Sequence, residues 1–328
     1  NLGPEIAVLF DAGTCDRLLL CPALPAFGRT VRQGQLLVHG VPLDETEFSI
    51  DPLAPVSSAS LIEIISYQTG GKVPKERLIV PDVNSDADLL KIARSLMDEN
   101  SRILPCGSAG LLQYLRTESI VDLRPAELRD GGLKSLAKSA SPVLIVSSSL
   151  SEITRAQLRL FAEQNPETVA IVRPDHRLLN LSARSETERC VLSADRSLSL
   201  GKHVIIDSAG DREEISSESD QAAEESRLIQ NFITEAVSGL MERRDRGATA
   251  GIMAAGGETA MSVCTGLAAQ GIDIIQEVEP FVPAGTIRGG PMNGMPLVTK
   301  AGGFGSEGVF TRGCEFLSGF KLESLNKD

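Results

Sequence analysis

Apolar residues along this chain follow two alternating patterns. Short continuous apolar runs bounded by glycine, proline or polar residues predict buried strands at 17–24, 77–83, 102–107, 142–149, 168–173, 203–208 and 252–255. Between them lie stretches with a helical period. In 86–99, Leu89, Leu90, Ile92, Ala93 and Leu96 share one side; in 221–241, Leu228, Ile229, Phe232, Ile233, Ala236, Val237 and Leu240 do so. Further helices are predicted from 108–115, from 151–164 and after Gly257. In the last of these Ala260, Val263, Cys264, Leu267 and Ala268 recur at helical spacing, and Gly271 is placed as the helix's C′ glycine. Strands alternating with helices predict an α/β protein with mostly parallel sheets. The polar, helix-patterned stretch 116–140 predicts a linker between two α/β domains, 1–115 and 141–328, with a cleft between them. The acidic, serine-rich residues 211–225 predict a solvated loop.

Composition narrows the function classes. The 328 residues carry a formal net charge of −12, which argues against a nucleic-acid partner, since phosphate neutralisation needs clustered Lys and Arg. There is no Trp and there are only two Tyr, so base stacking is not favoured either. No run of eighteen apolar residues predicts a membrane span. The opening "NLGPEIAVLF" lacks the pattern of a signal peptide and has no initiator Met. The six cysteines form no C-x-x-C pair and read as free thiols of a reducing cytoplasm. The three histidines are far apart, and no metal site is predicted.

Candidate chemistry gathers in three turns, each following an apolar strand. "SSSLSEITRAQ" (147–157) opens a helix; its Ser149-x-x-Glu152 spacing also fits a capping box. Gly256-Gly257-Glu258-Thr259 joins a strand to a helix, where free N–H groups and the helix dipole suit a phosphate. "PLVTKAGGFGSEGVF" (296–310) places Lys300, which reads by itself as an edge-strand lysine, before Gly302-Gly303-Phe304-Gly305. In an open α/β sheet all three would lie at the carboxyl ends of strands, where ligands bind. None is a standard phosphate fingerprint, so the residues alone predict a glycine-lined anion or nucleotide site.

Taken together the three turns resemble the nucleotide-binding domain of the four-carbon acid sugar kinases, the tetronate and 3-oxo-tetronate kinases. That family's G-S-C-S-x-x-T-x-x-Q reads here Ser148-Ser149-Leu150-Ser151, then Thr154 and Gln157. Ser148 and Leu150 depart from the pattern. Its G-G-E/D-T is Gly256–Thr259, its P-x-V-P-x-G is Pro280–Gly285, and its K-x-G-x-F-G is Lys300–Gly305. In the first half, "CPALPAFGRTVRQG" (21–34) resembles the sugar-binding segment, and "DPLAPV" (51–56), "DVNSDADL" (82–89) and "CGSAGL" (106–111) match later pieces. The family's opening D-D-x-T-G-A segment and most of its K-x-x-S-T-x-x-G-N segment are absent.

The resemblance implies an ATP-dependent, Mg²⁺-assisted cytoplasmic kinase acting on a four-carbon sugar acid. It implies ATP contacts from Ser149, Ser151, Gly256, Gly257, Glu258, Thr259, Gly302 and Gly303. Gly28 and Arg29 are the expected substrate contacts, because a guanidinium suits a carboxylate or phosphate; a structural salt bridge is the alternative for Arg29. The catalytic acid is expected in the absent opening segment, since Asp82, Asp86 and Asp88 read as helix-start residues. This chain alone is therefore expected to bind ATP and transfer phosphate slowly. Its truncated sheet is expected to expose an edge that invites homo-oligomers. Two rivals stay open: a non-catalytic nucleotide-binding protein, and an NAD(P)-dependent oxidoreductase with a variant dinucleotide fold.

Overall fold

The computed structural model describes residues 3–13, 15–50, 55–98, 102–115, 141–209, 219–245 and 247–320. The predicted linker at 116–140 and residues 211–218 of the acidic stretch lie outside them. The chain divides into two compact units, residues 1–130 and 131–328.

The first unit begins with α1 (Gly3–Asp11), β1 (Arg17–Cys21), β2 (Arg29–Arg32), β3 (Gln35–Val38) and β4 (Val41–Pro42). It continues with α2 (Leu61–Gln68), β5 (Leu78–Ile79), α3 (Asp86–Asp98), β6 (Ile103–Gly107) and the short α4 (Ala109–Leu112). A parallel sheet runs β5-β1-β6, and β2, β3 and β4 form a small antiparallel sheet. The core comprises Leu18, Leu20 and Cys21 of β1, Val31 of β2, and Leu89 and Ala93 of α3. The run predicted as a strand at 77–83 keeps only two paired residues; beyond them Val83 exchanges two backbone hydrogen bonds with Val31. Asp82 is not a helix-start residue: its carboxylate accepts the Gln33 N–H at 2.7 Å and holds the β2–β3 turn. Asp88 does serve the helix start, accepting from the Asn84 and Ser85 amides; the Ser85 hydroxyl and the Asn84 amide hold its carboxyl below the usual range.

The second unit opens with β7 (Val143–Ser147), α5 (Glu152–Gln164), β8 (Val169–Val172), α6 (His176–Ser199), β9 (His203–Asp207) and α7 (Ser219–Glu242). It closes with β10 (Gly251–Ala255), α8 (Gly257–Gly266), β11 (Gly271–Glu279), β12 (Val282–Arg288), β13 (Pro296–Lys300) and α9 (Val309–Gly319). One seven-stranded sheet has the order β11-β12-β13-β10-β7-β9-β8. Its five strands from β13 to β8 are parallel, and the β11–β12 hairpin adds antiparallel strands at one edge. Alternate residues of each central strand enter opposite cores, as the period of two requires. Leu144, Val146, Ile206 and Ala254 pack with α6, α7 and α8 residues such as Val191, Ile233 and Val263. Val143, Ile145, Ile205 and Met253 pack with Leu158 and Phe161 of α5 and Phe310 and Leu317 of α9.

Three sequence expectations are corrected in this unit. Helix α8 ends at Gly266, where Ala268 takes the left-handed conformation (φ +52°), and Gly271 begins β11 instead of capping the helix. Residues 219–225 of the predicted acidic loop belong to α7. Lys300 is not an edge lysine, since β13 lies between β12 and β10 and the side chain is 1% exposed. Among the described residues no helix is long and apolar enough to cross a membrane.

Candidate functional site

The parallel strands β13, β10 and β7 are neighbours, and the three sequence-singled turns leave their carboxyl ends side by side. The chain leaves β7 through α5 on one face of the sheet and leaves β10 through α8 on the other. Strand order thus reverses between β7 and β10, which opens a crevice where open α/β sheets place their ligands.

Hydrogen bonds stitch the turns together. The Thr259 hydroxyl, buried in the first turn of α8, shares a 2.7 Å hydrogen bond with the Ser148 hydroxyl and accepts from the Ser148 amide at 3.2 Å. The Gly256 amide donates to the Lys300 carbonyl at 2.7 Å. Gly256 has φ +114°, and a Cβ there would stand 3.0 Å from the Thr259 hydroxyl, so the turn requires glycine. At Gly257 a Cβ would meet nothing within 4 Å; the first turn of α8 faces open space. Gly302 lies against the β7 turn, its Cβ position 3.2 Å from the Ser149 hydroxyl oxygen and 3.4 Å from Ser151 Cβ.

The predicted capping box does not form. Helix α5 starts at Glu152 with Ser151 as its N-cap, so Glu152 occupies the first helical position and is too close to reach back. The Ser149 hydroxyl instead accepts from the Ser151 amide, and the Ser147 hydroxyl accepts from the Ser149 amide. The Ser151 hydroxyl oxygen is buried and has no hydrogen-bond partner among the described residues. Orphaned polar atoms are costly to bury, so a polar partner for this one would be stabilising.

Sequence reasoning missed the support beneath the glycine loop. The Lys300 ammonium donates to the Thr154 hydroxyl at 2.8 Å and to the Ala301 and Gly302 carbonyls at 3.0 and 3.2 Å. Thr154 donates in turn to the Gly302 carbonyl at 2.7 Å. One turn along α5, the Gln157 amide donates to the Gly305 and Ser306 carbonyls at 2.8 and 3.0 Å and stands 3.4 Å from that of Phe304. Burial pulls Lys300 down from 10.5 to about 8, and the Glu279 carboxylate opposes that pull. Glu279 itself accepts from the Ser306 amide and from Arg312, closing the far end of the loop. The signal available in the sequence was the T-x-x-Q spacing, which puts Thr154 and Gln157 on one face of a helix.

Five of the predicted nucleotide residues therefore meet directly: Ser149, Ser151, Gly256, Thr259 and Gly302. Gly257 and Glu258 continue into α8, where Glu258 accepts from Gln230 at 3.1 Å. Gly303 follows in the glycine loop. Thr259 is a strut whose hydroxyl is committed to Ser148. Among the described residues no cluster of three His, Cys, Asp or Glu side chains could hold a metal ion.

In the first unit, Leu24 and Arg29 exchange two backbone hydrogen bonds and close the turn that follows β1. Gly28 has φ +67°, and the His39 ring fills the space a Cβ would take. The Arg29 guanidinium lies 5.8 Å from the centre of the Phe48 ring. Ser108, after β6, donates to the Ala23 carbonyl at 2.8 Å and ties the two strand ends together. All six cysteines are free, and burial raises Cys21, Cys106 and Cys190 to about 11, which keeps them as inert thiols.

Two family models match the chain: a nucleotide-binding C-terminal domain over residues 144–310 and a sugar-binding N-terminal domain over residues 1–76. A D-threonate kinase of Salmonella typhimurium is 31% identical over 94% of this chain and 75% of its own length. A 3-oxo-tetronate kinase of Pseudomonas fluorescens is 28% identical over 97% of this chain and 76% of its own length. A crystal structure of a Salmonella typhimurium LT2 protein superposes with TM-score 0.65 at 21% identity, covering 95% of this chain and 76% of that one; it shows the fold alone.

Proposed function

We propose, from the premise that this chain belongs to the four-carbon acid sugar kinase family and is a kinase of four-carbon sugar acids, that ATP is its phosphoryl donor and binds at the β7, β10 and β13 turns. The observation that carries this reading is the meeting of three glycine- and serine-rich turns at the β7–β10 reversal around the unpartnered Ser151 hydroxyl. The cradle fits phosphates on two counts: the first turn of α8 is open above Gly257, and its N–H groups and dipole favour an anion. Donors fixed by the fold need no reorganisation when charge develops on a transferring phosphoryl group. Ser149, Ser151 and the amides of Gly257, Glu258, Gly302 and Gly303 are the proposed phosphate contacts. Mg²⁺, the usual companion of kinase phosphates, would supply charge neutralisation, with Glu258 as the carboxylate in the first turn of α8.

Arg29 is the proposed contact to the sugar acid. Its planar fork suits a carboxylate, and the guanidinium lies over the Phe48 ring. The four-carbon acids named for the relatives, D-threonate and 3-oxo-tetronate, are the proposed substrate class.

The test incubates the protein with ATP, Mg²⁺ and each four-carbon acid, and follows ADP release and phosphate-ester formation by ³¹P NMR. The reading predicts a phosphate ester formed one for one with ADP, with at least one acid of the panel. ATP consumption that yields only inorganic phosphate, whichever acid is present, would contradict it.

A further inference from the structure

Lys300 presents a physical problem that nucleotide binding alone leaves open. It lies on an interior strand, 1% exposed, on the same face of β13 as the buried Val298. Burying an ammonium costs several kcal/mol unless its donors are matched, and an apolar residue there would be the cheaper solution. All three of its donors are matched, and every acceptor belongs to the glycine loop or to the helix beneath it. The acceptors include the two successive carbonyls of Ala301 and Gly302. In a trans peptide the carbonyl and the amide point in opposite directions. Turning those carbonyls onto the ammonium therefore turns the Gly302 and Gly303 amides away from it. Gly302 is also the residue that lies against Ser149 and Ser151. Thr154 and Gln157 do the same work one helical turn apart, holding the Gly302, Gly305 and Ser306 carbonyls against α5. Phe304 packs on Phe281 at 5.6 Å and fixes the loop's outer side.

We propose that Lys300 and Thr154, with Gln157, are positioning residues of the nucleotide site: they hold the Ala301, Gly302, Gly305 and Ser306 carbonyls inward so that the Gly302 and Gly303 amides face the phosphates. This rests on the reading that phosphates bind at the three turns. Neither Lys300 nor Thr154 needs to touch the nucleotide. Their contribution lies in presenting a donor pair whose geometry is set before the ligand arrives.

The test compares Thr154→Val, Thr154→Ser and Lys300→Met with the parent protein, by calorimetric titration with ATP and by thermal unfolding without ligand. Thr154→Val keeps the shape and removes the hydroxyl, so it should weaken ATP binding by about tenfold, the scale of one lost hydrogen bond to a charged group. Thr154→Ser keeps the hydroxyl and should bind within about twofold of the parent, a rescue that a packing role would not give. Lys300→Met should weaken ATP at least as much as Thr154→Val, while KM for the sugar acid stays unchanged in both. Folded Thr154→Val with parent affinity for ATP would overturn the inference, as would equal losses in Thr154→Val and Thr154→Ser. Should Lys300→Met not fold, the threonine pair decides. A parent protein that binds no ATP would overturn the nucleotide reading itself and this inference with it, and is distinguishable because no variant is then needed.

Discussion

Gly256 and Gly257 are adjacent, yet the structure asks different things of them, and replacing each separates folding from binding. An alanine at Gly256 must adopt φ +114°, a conformation that L residues rarely take, at a cost of about 1–3 kcal/mol. Its Cβ would also stand 3.0 Å from the Thr259 hydroxyl, which is pinned to Ser148 at 2.7 Å and cannot yield without loosening that bond. A weakened hydrogen bond adds about 1 kcal/mol, so Gly256→Ala should lose about 2–4 kcal/mol in all. At Gly257 the helix has begun and a Cβ would meet nothing within 4 Å. Reduced freedom of the unfolded chain stabilises such a replacement by about 0.4–1 kcal/mol, offset by a few tenths for a β-branched residue in a helix. Gly257→Val should therefore unfold within about 1 kcal/mol of the parent. Its methyl groups, however, would occupy the open face of the first turn, and ATP affinity should fall about tenfold or more as phosphate loses its N–H partners. Urea unfolding without ligand and calorimetric titration with ATP measure the two quantities. Parent-like affinity in folded Gly257→Val would remove the phosphates from this turn, and parent-like stability of Gly256→Ala would refute the strain argument.

Three further outcomes are expected. Lys300 binds its proton less tightly when folded, at about 8 against 10.5, so between those values the unfolded state holds more protons and stability rises with pH. Denaturant titrations should show the parent gaining about 3 kcal/mol over Lys300→Met from pH 8 to 10.5, and a parallel pH dependence of the two would contradict the burial argument. His203 is held low by burial and accepts the Val143 amide on Nδ1 at 3.0 Å, so stability should fall as pH drops through 6.5. His203→Asn, which keeps an acceptor and cannot titrate, should flatten that fall in thermal melts. Arg29→Lys should raise KM for the sugar acid and leave ATP affinity unchanged, since lysine lacks the planar fork; equal losses for both would make Arg29 a residue of the fold.

Much of the second unit was legible because its strands are buried on both faces and read as continuous apolar runs. The turns at Gly256 and Gly302 were legible because glycine answers a backbone need at the first (φ +114°) and close packing on Ser149 and Ser151 at the second. The β11–β12 hairpin was not read, since exposed residues such as Ile274 and Ile275 break its alternation. Without that hairpin the rank of β13 in the sheet was invisible, and with it the burial of Lys300. Helix α6 escaped because Ser182 departs from helical geometry (φ −156°, ψ 72°) and interrupts the period. Gly271 was misplaced for a local reason: Leu267 and Ala268 continue the apolar stripe of α8, yet Ala268 itself supplies the left-handed turn. The Ser149–Glu152 spacing misled by register, for a helix that starts at Glu152 leaves that residue no third position from which to reach back.

The most direct measurement of the central claim is a crystal structure of this protein with Mg²⁺ and a non-hydrolysable ATP analogue. The account predicts phosphate oxygens within about 3 Å of the Gly257 and Glu258 amides and of the Ser151 hydroxyl, with the Gly302 and Gly303 amides facing them across the β7–β10 crevice. Phosphates bound elsewhere, with the Ser151 hydroxyl still unpartnered and the first turn of α8 still open, would contradict it.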